Sequence, residues 1–282
     1  MRAQNLTVSL PPLPDCKVCD GIHCRKYCIS HMTWEPTPDQ SLMMENLPTA
    51  KYIAQMAGTN NILYTAKMEP TQNWDLLISL TKYFSPVTSE VQTNGIMLSK
   101  NPEKLRELRV AGMHTIAVSV DNIEQIVAFA DFFAAIEEAR MNLRICLNIT
   151  NLIPVEMGFK EIFEVISNLP RSQSLGRQLL IRNIMFPEGA KDCKEKIWIK
   201  ENCSKERYIR LHDEFIEMIG SSKKPDDLLA FGLVAHSYDD HSVVFSDYCI
   251  EEKSKISDFR SIIFHQNGHG YKRWDDKTSF IW

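Results

Sequence analysis

The sequence predicts an α/β protein built on a parallel sheet. Strand-like and helical segments alternate from the N-terminus to about residue 185, and repeated βα units imply parallel strands with helices covering the sheet. The length of 282 residues, with 44% hydrophobic and 24% charged residues, is typical of a globular chain with a substantial core. The alternation alone fits either an open sheet or a barrel.

Six strands and five helices make up the predicted βα series. The strands are expected at residues 5–10, 61–66, 89–93, 115–120, 143–149 and 178–185. The helices are expected at residues 47–57, 74–84, 102–111, 123–140 and 159–169. A Pro-rich and Cys-rich loop at residues 11–38 follows the first strand.

Capping residues support several of these boundaries. Asn73 is a good N-cap for the second helix, and Asn101 can cap the third, with Pro102 at its tolerated first position. Gly112 can end that helix, and the pair Asn94-Gly95 predicts a turn after the third strand.

The rest of the chain has a different pattern. It predicts a helix at residues 206–219 and strands at residues 229–235, 242–250, 260–266 and 279–282. We interpret residues 1–190 as the core and residues 191–282 as a C-terminal α+β extension that packs on it in the same domain.

Charge and hydropathy exclude some classes of function. A formal net charge of −4 argues against a strongly basic nucleic-acid-binding face, so a nucleic-acid partner is unlikely on this composition. The N-terminus lacks the apolar segment of a signal peptide, and no apolar run reaches the roughly 18–20 residues that span a bilayer. We expect a soluble, cytoplasmic protein with no membrane partner.

Half of the eight cysteines form a tight cluster, which predicts a metal site. Cys16, Cys19, Cys24 and Cys28 lie close together in the first loop, while the other four are scattered. Disulfides are disfavoured in the cytosol, and thiolates at short spacing can converge on one metal centre. The loop alone fits two metals: tetrahedral zinc, with His23 as a further ligand, or an iron–sulfur cluster.

Three short polar segments follow successive predicted strands. They are Lys67-Met68-Glu69-Pro70-Thr71 after the second strand, Thr93-Asn94-Gly95 after the third, and Ser119-Val120-Asp121 at the end of the fourth. Barrels of βα units build their sites at the carboxyl ends of the strands. These segments therefore predict a site at that end of the sheet.

With the Cys-rich loop, these motifs make the sequence resemble the radical S-adenosylmethionine (radical SAM) superfamily from about residue 5 to residue 185. The resemblance implies a partial (βα)6 TIM-like barrel. It also implies two cofactors, a [4Fe–4S] cluster and S-adenosylmethionine.

Two departures from the family pattern concern the cluster loop and the segment before Glu69. The usual Cys-x3-Cys-x2-Cys spacing is absent. Alignment on Tyr27-Cys28 makes Cys19, Cys24 and Cys28 the metal ligands, with Cys16 as an alternative ligand in the set Cys16, Cys19 and Cys24. Lys67-Met68 also replaces the glycines that usually precede the glutamate.

The resemblance assigns five cofactor-binding residues. Glu69 is expected near the methionyl ammonium, Ser119 at the ribose hydroxyls, and Tyr27 beside the adenine. Asn148 is expected at the ribose or the carboxylate, and Arg144 at the carboxylate. On the residues alone, Glu69 can equally cap the following helix, and Arg144 can be a solvated strand-end charge.

The implied function is reductive cleavage of S-adenosylmethionine to a 5′-deoxyadenosyl radical, which abstracts hydrogen from an unidentified organic substrate. An electron donor such as a flavodoxin or ferredoxin is the expected redox partner. Two alternatives stay open: a non-catalytic zinc-knuckle binding module on an α/β scaffold, and a degenerate barrel with a structural cluster.

Overall fold

The fold is seen in a computed structural model of the chain. The structure describes residues 2–11, 26–28, 32–170, 177–186, 190–220, 227–228, 234–246 and 259–282.

Within these residues, eleven strands form one sheet. Their order across the sheet is β11-β10-β1-β2-β3-β4-β5-β6-β9-β8-β7. The strands are β1 (Ala3–Ser9), β2 (Asn61–Thr65), β3 (Thr88–Thr93), β4 (Thr115–Val120), β5 (Asn142–Ile149), β6 (Arg177–Asn183), β7 (Asp227–Leu228), β8 (Val234–Tyr238), β9 (His241–Ser246), β10 (Phe259–Phe264) and β11 (Gly270–Tyr271).

The helices alternate with the strands, which confirms the α/β class. They are α1 (Gln40–Glu45), α2 (Leu47–Met56), α3 (Trp74–Phe84), α4 (Ile96–Lys100), α5 (Lys104–Ala111), α6 (Ile123–Ala128), α7 (Ala130–Glu138), α8 (Phe159–Ser167), α9 (Lys194–Asn202) and α10 (Lys205–Ile219). In the described part of the chain, no helix combines the length and apolarity needed to cross a membrane.

The parallel part of the sheet is larger than the six predicted strands. Among the described residues, eight strands are parallel, because β10 pairs with β1 at one side and β9 pairs with β6 at the other. Both added strands come from residues 191–282. Strands β11, β8 and β7 then pair antiparallel at the two edges.

The sheet has one apolar and one polar face, because successive side chains of a strand point to opposite sides. The apolar face packs against the helices and forms the main core. Its buried residues are Leu6, Val8, Ile62, Tyr64, Val91, Ile116, Val118, Val120, Leu143, Ile145, Leu147, Ile149, Leu179, Ile181, Val243, Ile262 and Phe264. The alternate positions are mainly polar, among them Thr7, Glu90, Ser119, Arg144, Asn148, Gln178 and Arg182.

Three local predictions were wrong. The long helix at 123–140 divides at Phe129, whose backbone leaves helical geometry (φ −93°, ψ 8°). Helix α9 was missed because its charged sequence buries only Glu195 and Ile199 and has no helical apolar stripe. The strand expected at 279–282 is instead a 3₁₀ turn over Lys277–Ser279, followed by the single bridge between Tyr271 and Phe280.

The predicted turn at Asn94-Gly95 is confirmed. Gly95 has φ +76°, a left-handed conformation that glycine adopts at little cost. A Cβ at this position would lie 2.9 Å from Val118 Cγ1 and 3.0 Å from the Phe132 ring. Glycine therefore allows the chain to turn tightly over the end of β4.

Strand β10 brings His265 to the carboxyl end of the sheet, where it is fully buried. Three aromatic rings surround its imidazole, with centroids 5.7 Å away for Trp34, 5.2 Å for Tyr271 and 4.9 Å for Trp274. Burial, together with the nearby Lys67 ammonium, lowers the pKa of His265 to about 3. The histidine is therefore neutral in the folded protein at ordinary pH.

A buried ion pair ties the start of β6 to helix α7. Arg177 Nε donates to Glu137 Oε1 at 2.9 Å, and neither side chain is exposed to solvent. The other guanidinium nitrogens donate to the carbonyls of Ile166 (3.3 Å) and Pro170 (2.8 Å). The guanidinium thus has charge and hydrogen-bond compensation inside the protein.

Glu137→Gln is predicted to lower the free energy of unfolding by about 3–5 kcal/mol, because it leaves the buried Arg177 charge without its counter-ion. Glu164→Gln, in the exposed pair with Lys160, should cost less than about 1 kcal/mol. Urea unfolding of both variants beside the wild type measures the two values. If both variants lost the same free energy of unfolding, the buried pair would contribute no more to stability than the exposed pair.

His265→Gln is predicted to make the free energy of unfolding depend less on pH below about 6.5. The folded-state pKa of about 3 lies below the usual value near 6.5, so the unfolded chain binds the extra proton between these two pH values. Wild-type stability should therefore fall as the pH drops from 6.5 towards 3, by about 2 kcal/mol at pH 5 from this group. Urea unfolding at pH 7, 6 and 5 checks this, and parallel profiles for the two proteins would contradict it.

Candidate active site

The carboxyl ends of the eight parallel strands lie at one edge of the sheet, where βα folds place their sites. The segments after β1, β2, β3, β4 and β5 all reach this edge. They bring together Cys28, Glu69, Asp121 and Asn148, which are far apart in the sequence. We call this region the carboxyl edge.

Cys28 is the predicted metal ligand that falls within the described residues. Its Sγ lies 3.6 Å from the backbone carbonyl of Lys67, directly after β2. Cys16, Cys19 and Cys24 lie outside the described residues. Among the residues that the structure does describe, no group of three or more His, Cys, Asp or Glu side chains is arranged to hold a metal.

Glu69 lies at the centre of a hydrogen-bond network that joins the ends of β2 and β3. Its Oε1 accepts from the backbone N–H of Thr71 (3.1 Å) and from the hydroxyls of Thr71 and Thr93 (both 2.6 Å). Its Oε2 accepts from the backbone N–H of Asn94 at 2.9 Å. Glu69 also caps the 3₁₀ turn at Pro70–Gln72, so the capping role considered from the sequence is real.

The Glu69 carboxylate is almost fully buried, with 5% of its surface exposed. Burial raises its pKa, while the hydrogen bonds from Asn94, Thr71 and Thr93 act in the opposite direction. Oε2 accepts a single bond from the described residues, and a carboxylate oxygen can accept two. The buried carboxylate can therefore accept a further donor from a ligand.

Tyr27 and Asn148 are brought together by Asp121, a residue to which the sequence analysis assigned no individual role. The Tyr27 hydroxyl donates to Asp121 Oδ1. Asn148 Nδ2 donates to the same oxygen at 2.8 Å and to the Tyr27 oxygen at 2.9 Å. Burial, followed by the Asp121 charge, raises the pKa of Tyr27 well above its usual value. The phenol is thus a fixed, neutral hydrogen-bond donor.

The group formed by Tyr27, Asp121 and Asn148 also contains a hydrogen-bond acceptor that a ligand could use. Asn148 Oδ1 is buried and has no hydrogen-bond donor among the described residues. Ser119 lies on β4 on the same polar face, and its strand neighbour on β5 is Cys146, two residues before Asn148. Cys146 is buried on the same face of β5 as Asn148.

Arg144 lies away from the other predicted site residues. It donates to Glu90 on β3 and to Gln178 on β6, and Gln178 in turn donates to Ser242 on β9 at 3.2 Å. Arg144 precedes Asn148 by four residues on the strand, which corresponds to about 13 Å. This position does not agree with the role that the resemblance implies, a contact with the methionyl carboxylate, because Glu90 holds Arg144 near the amino end of β5.

A cavity of about 580 Å³ lies at the opposite edge of the sheet from Cys28. It is lined by the first residues of β4, β5 and β6 and by the turn before β9, including Arg144, Asp239 and Asp240. The cavity is therefore separate from the carboxyl edge.

Lys67 replaces a glycine of the family pattern and links two segments of the carboxyl edge. Its ammonium donates to Thr33 Oγ1 at 2.8 Å and to the carbonyl of Trp34. The side chain is 1% exposed, and burial lowers its pKa to about 8. The lysine thus binds the segment that follows Cys28 to the end of β2.

Sequence reasoning missed two further polar residues of this region. Asp121 was placed in the polar segment at the end of the fourth predicted strand, but no binding role was assigned to it. Arg182 lies beside Asn148 in the β5–β6 register, on the polar face. The alternation of β6 indicates that Arg182 lies on the polar face. The sequence does not indicate which ligand the arginine would bind.

Comparisons with known proteins support the fold. No protein-family model matches the sequence, and no curated protein matches it. The structure is similar to that of SuiB from Streptococcus suis, solved bound to its precursor peptide SuiA. The TM-score is 0.58 at 12% identity, and the match covers 95% of this chain and 59% of SuiB. The chain therefore shares the α/β fold of SuiB and spans about three-fifths of the length of that protein.

Proposed function

We propose that this chain is a radical SAM enzyme. In the proposal, Cys19, Cys24 and Cys28 hold a [4Fe–4S] cluster, with Cys16 as the alternative ligand, and S-adenosylmethionine binds beside it. The observation that carries the proposal is the convergence of Cys28, the buried Glu69 carboxylate and the Tyr27–Asp121–Asn148 group at one edge of the sheet. The fold shared with SuiB supports it.

A partial TIM-like barrel is the geometry that we propose for the sheet. Residues 1–190 would form its (βα)6 core, and residues 191–282 would pack on it in the same domain. Its support is the set of contacts across the polar face, where Arg144 on β5 reaches Glu90 on β3 past the intervening β4. If the sheet curves towards its polar face, side chains on non-adjacent strands come closer together and the polar residues are enclosed.

The groups at the carboxyl edge fit the two cofactors. Cysteine thiolates are the ligands of iron–sulfur clusters, and Cys28 lies next to the Glu69 segment. Glu69 Oε2 and Asn148 Oδ1 are buried acceptors that can take further donors. A ligand with an ammonium group and hydroxyls would satisfy both acceptors, and S-adenosylmethionine has these groups in its methionine and ribose.

A bound, reduced cluster would supply the electron for reductive cleavage of S-adenosylmethionine to a 5′-deoxyadenosyl radical. The protein residues would bind S-adenosylmethionine and orient it beside the cluster. Glu69 would accept from the methionyl ammonium, a charge-assisted contact in a buried setting. Ser119 and Asn148 would hold the ribose hydroxyls, and the ring of Tyr27 would lie against the adenine.

Arg182 is a better placed cation for the methionyl carboxylate than Arg144. It lies next to Asn148 near the end of β6, whereas Arg144 is paired with Glu90 about 13 Å further down β5. We therefore assign the carboxylate contact to Arg182 in this proposal. Arg144 would instead link β3, β5 and β6 on the polar face, through Glu90 and Gln178.

The proposed reaction is hydrogen-atom abstraction from an organic substrate, with a flavodoxin or ferredoxin as the electron donor. SuiB was solved with its precursor peptide bound. A peptide is therefore the first substrate class to test for this chain.

Anaerobic reconstitution followed by metal and product analysis tests the proposal. The expected result is about four irons per chain, with 5′-deoxyadenosine formed after addition of dithionite and S-adenosylmethionine. Zinc without iron would overturn the proposal in favour of a zinc-knuckle module. A cluster that never yields 5′-deoxyadenosine, with peptides and without, would favour a degenerate barrel with a structural cluster.

Glu69→Gln gives a sharper test in the same assay. Loss of one charge-assisted hydrogen bond should weaken S-adenosylmethionine binding roughly ten- to a hundredfold while iron content is retained. Glu107→Gln is the matched control, since Glu107 is an exposed partner of Trp74 on the helix side. Arg182→Gln tests the carboxylate contact by the same binding measurement. Unchanged affinity in Glu69→Gln would remove Glu69 from the proposed site.

A further inference from the structure

A second, smaller apolar cluster lies beside the carboxyl edge. We call it the cap cluster. It contains residues of the segment that carries Cys28, of the chain leaving β6, and of helix α9. Its buried members are Met32, Ile184, Ala190 and Ile199, and Tyr27, Phe186, Cys193, Trp198 and Cys203 pack against them.

Trp198 of the cap cluster contacts Tyr27 directly. The two rings are stacked, with centroids 5.4 Å apart and an interplanar angle of 26°. Lys26 also places its ammonium over the Trp198 ring, 5.9 Å from the centroid. The two residues that precede Cys28 are therefore both held by one side chain of helix α9.

The other end of Tyr27 is fixed by hydrogen bonds. Its hydroxyl donates to Asp121 and accepts from Asn148 at 2.9 Å. Tyr27 is thus held at one ring face by Trp198 and at its hydroxyl by residues at the ends of β4 and β5. A side chain fixed in this way restricts the backbone of its own residue and of its neighbour, Cys28.

Helix α9 packs in part on the cap cluster and also accepts a hydrogen bond from the backbone N–H of Asn151 at the carbonyl of Asn202 (2.9 Å). Its buried residues are Glu195 and Ile199, and Ile199 belongs to the cap cluster rather than to the main core. The chain just before α9 makes one more link to the same segment, because the N–H of Lys191 donates to the carbonyl of Met32 at 3.1 Å. These contacts join helix α9 and the chain before it to the Cys-bearing segment.

We infer that Trp198 is a positioning residue for the metal centre. It acts through Tyr27, which it holds by stacking, and so keeps the thiolate of Cys28 beside Lys67 and Glu69. A residue beyond the six βα units, and outside the cysteine motif, thus determines how firmly the cluster is held. The inference rests on the proposed function, since it concerns the retention of the proposed cluster.

The test compares cluster retention in Trp198→Ala, Trp198→Leu and Trp198→Phe with the wild type. Reconstituted protein is mixed anaerobically with an iron chelator, well below the melting temperature, and the loss of cluster absorbance is followed. Trp198→Ala should lose its cluster roughly tenfold faster, because the aromatic pair is gone. Trp198→Leu keeps an apolar side chain in the cap cluster and should still lose the cluster faster. Trp198→Phe keeps a stacking ring and should stay within about twofold of the wild type.

Trp74→Ala is the matched control. Trp74 is on helix α3, where it contacts Glu107 and Lys104 on the other side of the sheet, so its loss should leave cluster retention unchanged. The low-temperature EPR spectrum of the reduced cluster is the second measurement. It should change in Trp198→Ala and Trp198→Leu, and it should match the wild type in Trp74→Ala.

The outcomes separate this inference from the proposed function. A wild type with a stable cluster and equal retention in Trp198→Leu would overturn the role of Trp198 alone. A wild type that takes up no iron under reconstitution would overturn the proposed function and this inference with it. If Trp198→Ala does not fold, the comparison of Trp198→Leu with Trp198→Phe decides the question.

Discussion

Eight strands run parallel from β10 through β6 to β9, so their carboxyl ends come out at one edge of the sheet. The apolar face of these strands is buried under helices, and this burial fixes the register, since a shift by one residue would turn the apolar side chains to the polar face. The register in turn determines where the polar residues after each strand lie. Segments separated by up to 121 residues in the chain, such as Tyr27 and Asn148, therefore meet at this edge.

Hydrogen bonds between strand ends keep that edge in one arrangement. Glu69 joins the segments after β2 and β3, and Asp121 joins β4, β5 and the Cys-bearing segment through Tyr27. Lys67 links the end of β2 to Thr33. Buried polar groups are costly unless they are satisfied, so these links also restrict the movement of one segment relative to another. A site for a charged ligand needs such preorganisation.

The first strands and their order were predictable from the sequence because each strand is short, apolar and followed by a recognisable turn or cap. The positions of Glu69 and Asn148 at strand ends were also predictable from the alternation of βα units, whereas their binding roles are implied only by the family resemblance. Asp121 was visible in the sequence, but its partners Tyr27 and Asn148 are 94 and 27 residues away. No local pattern reports contacts over such separations.

Other features depend on tertiary packing. Arg144 was expected at the site, but Glu90 and Gln178, from two other strands, hold it in the lower part of the polar face. Helix α9 was missed because its sequence lacks an apolar stripe, and its position depends on the cap cluster that includes Tyr27 and Trp198. The pairing of β9 and β10 with the two sides of the predicted sheet is likewise a tertiary property. Strand signals in the last third of the chain show that strands exist there, but not which neighbours they take.

In the proposed site, S-adenosylmethionine binds at the carboxyl edge directly against an iron–sulfur cluster. Electron–nuclear double resonance of the reduced, reconstituted protein tests it, with S-adenosylmethionine labelled with ¹⁵N in the amine and ¹⁷O in the carboxylate. Hyperfine coupling from both labels to the cluster is the expected result, because both groups would lie against it. An unperturbed cluster spectrum with coupling from neither label, at saturating S-adenosylmethionine, would contradict it.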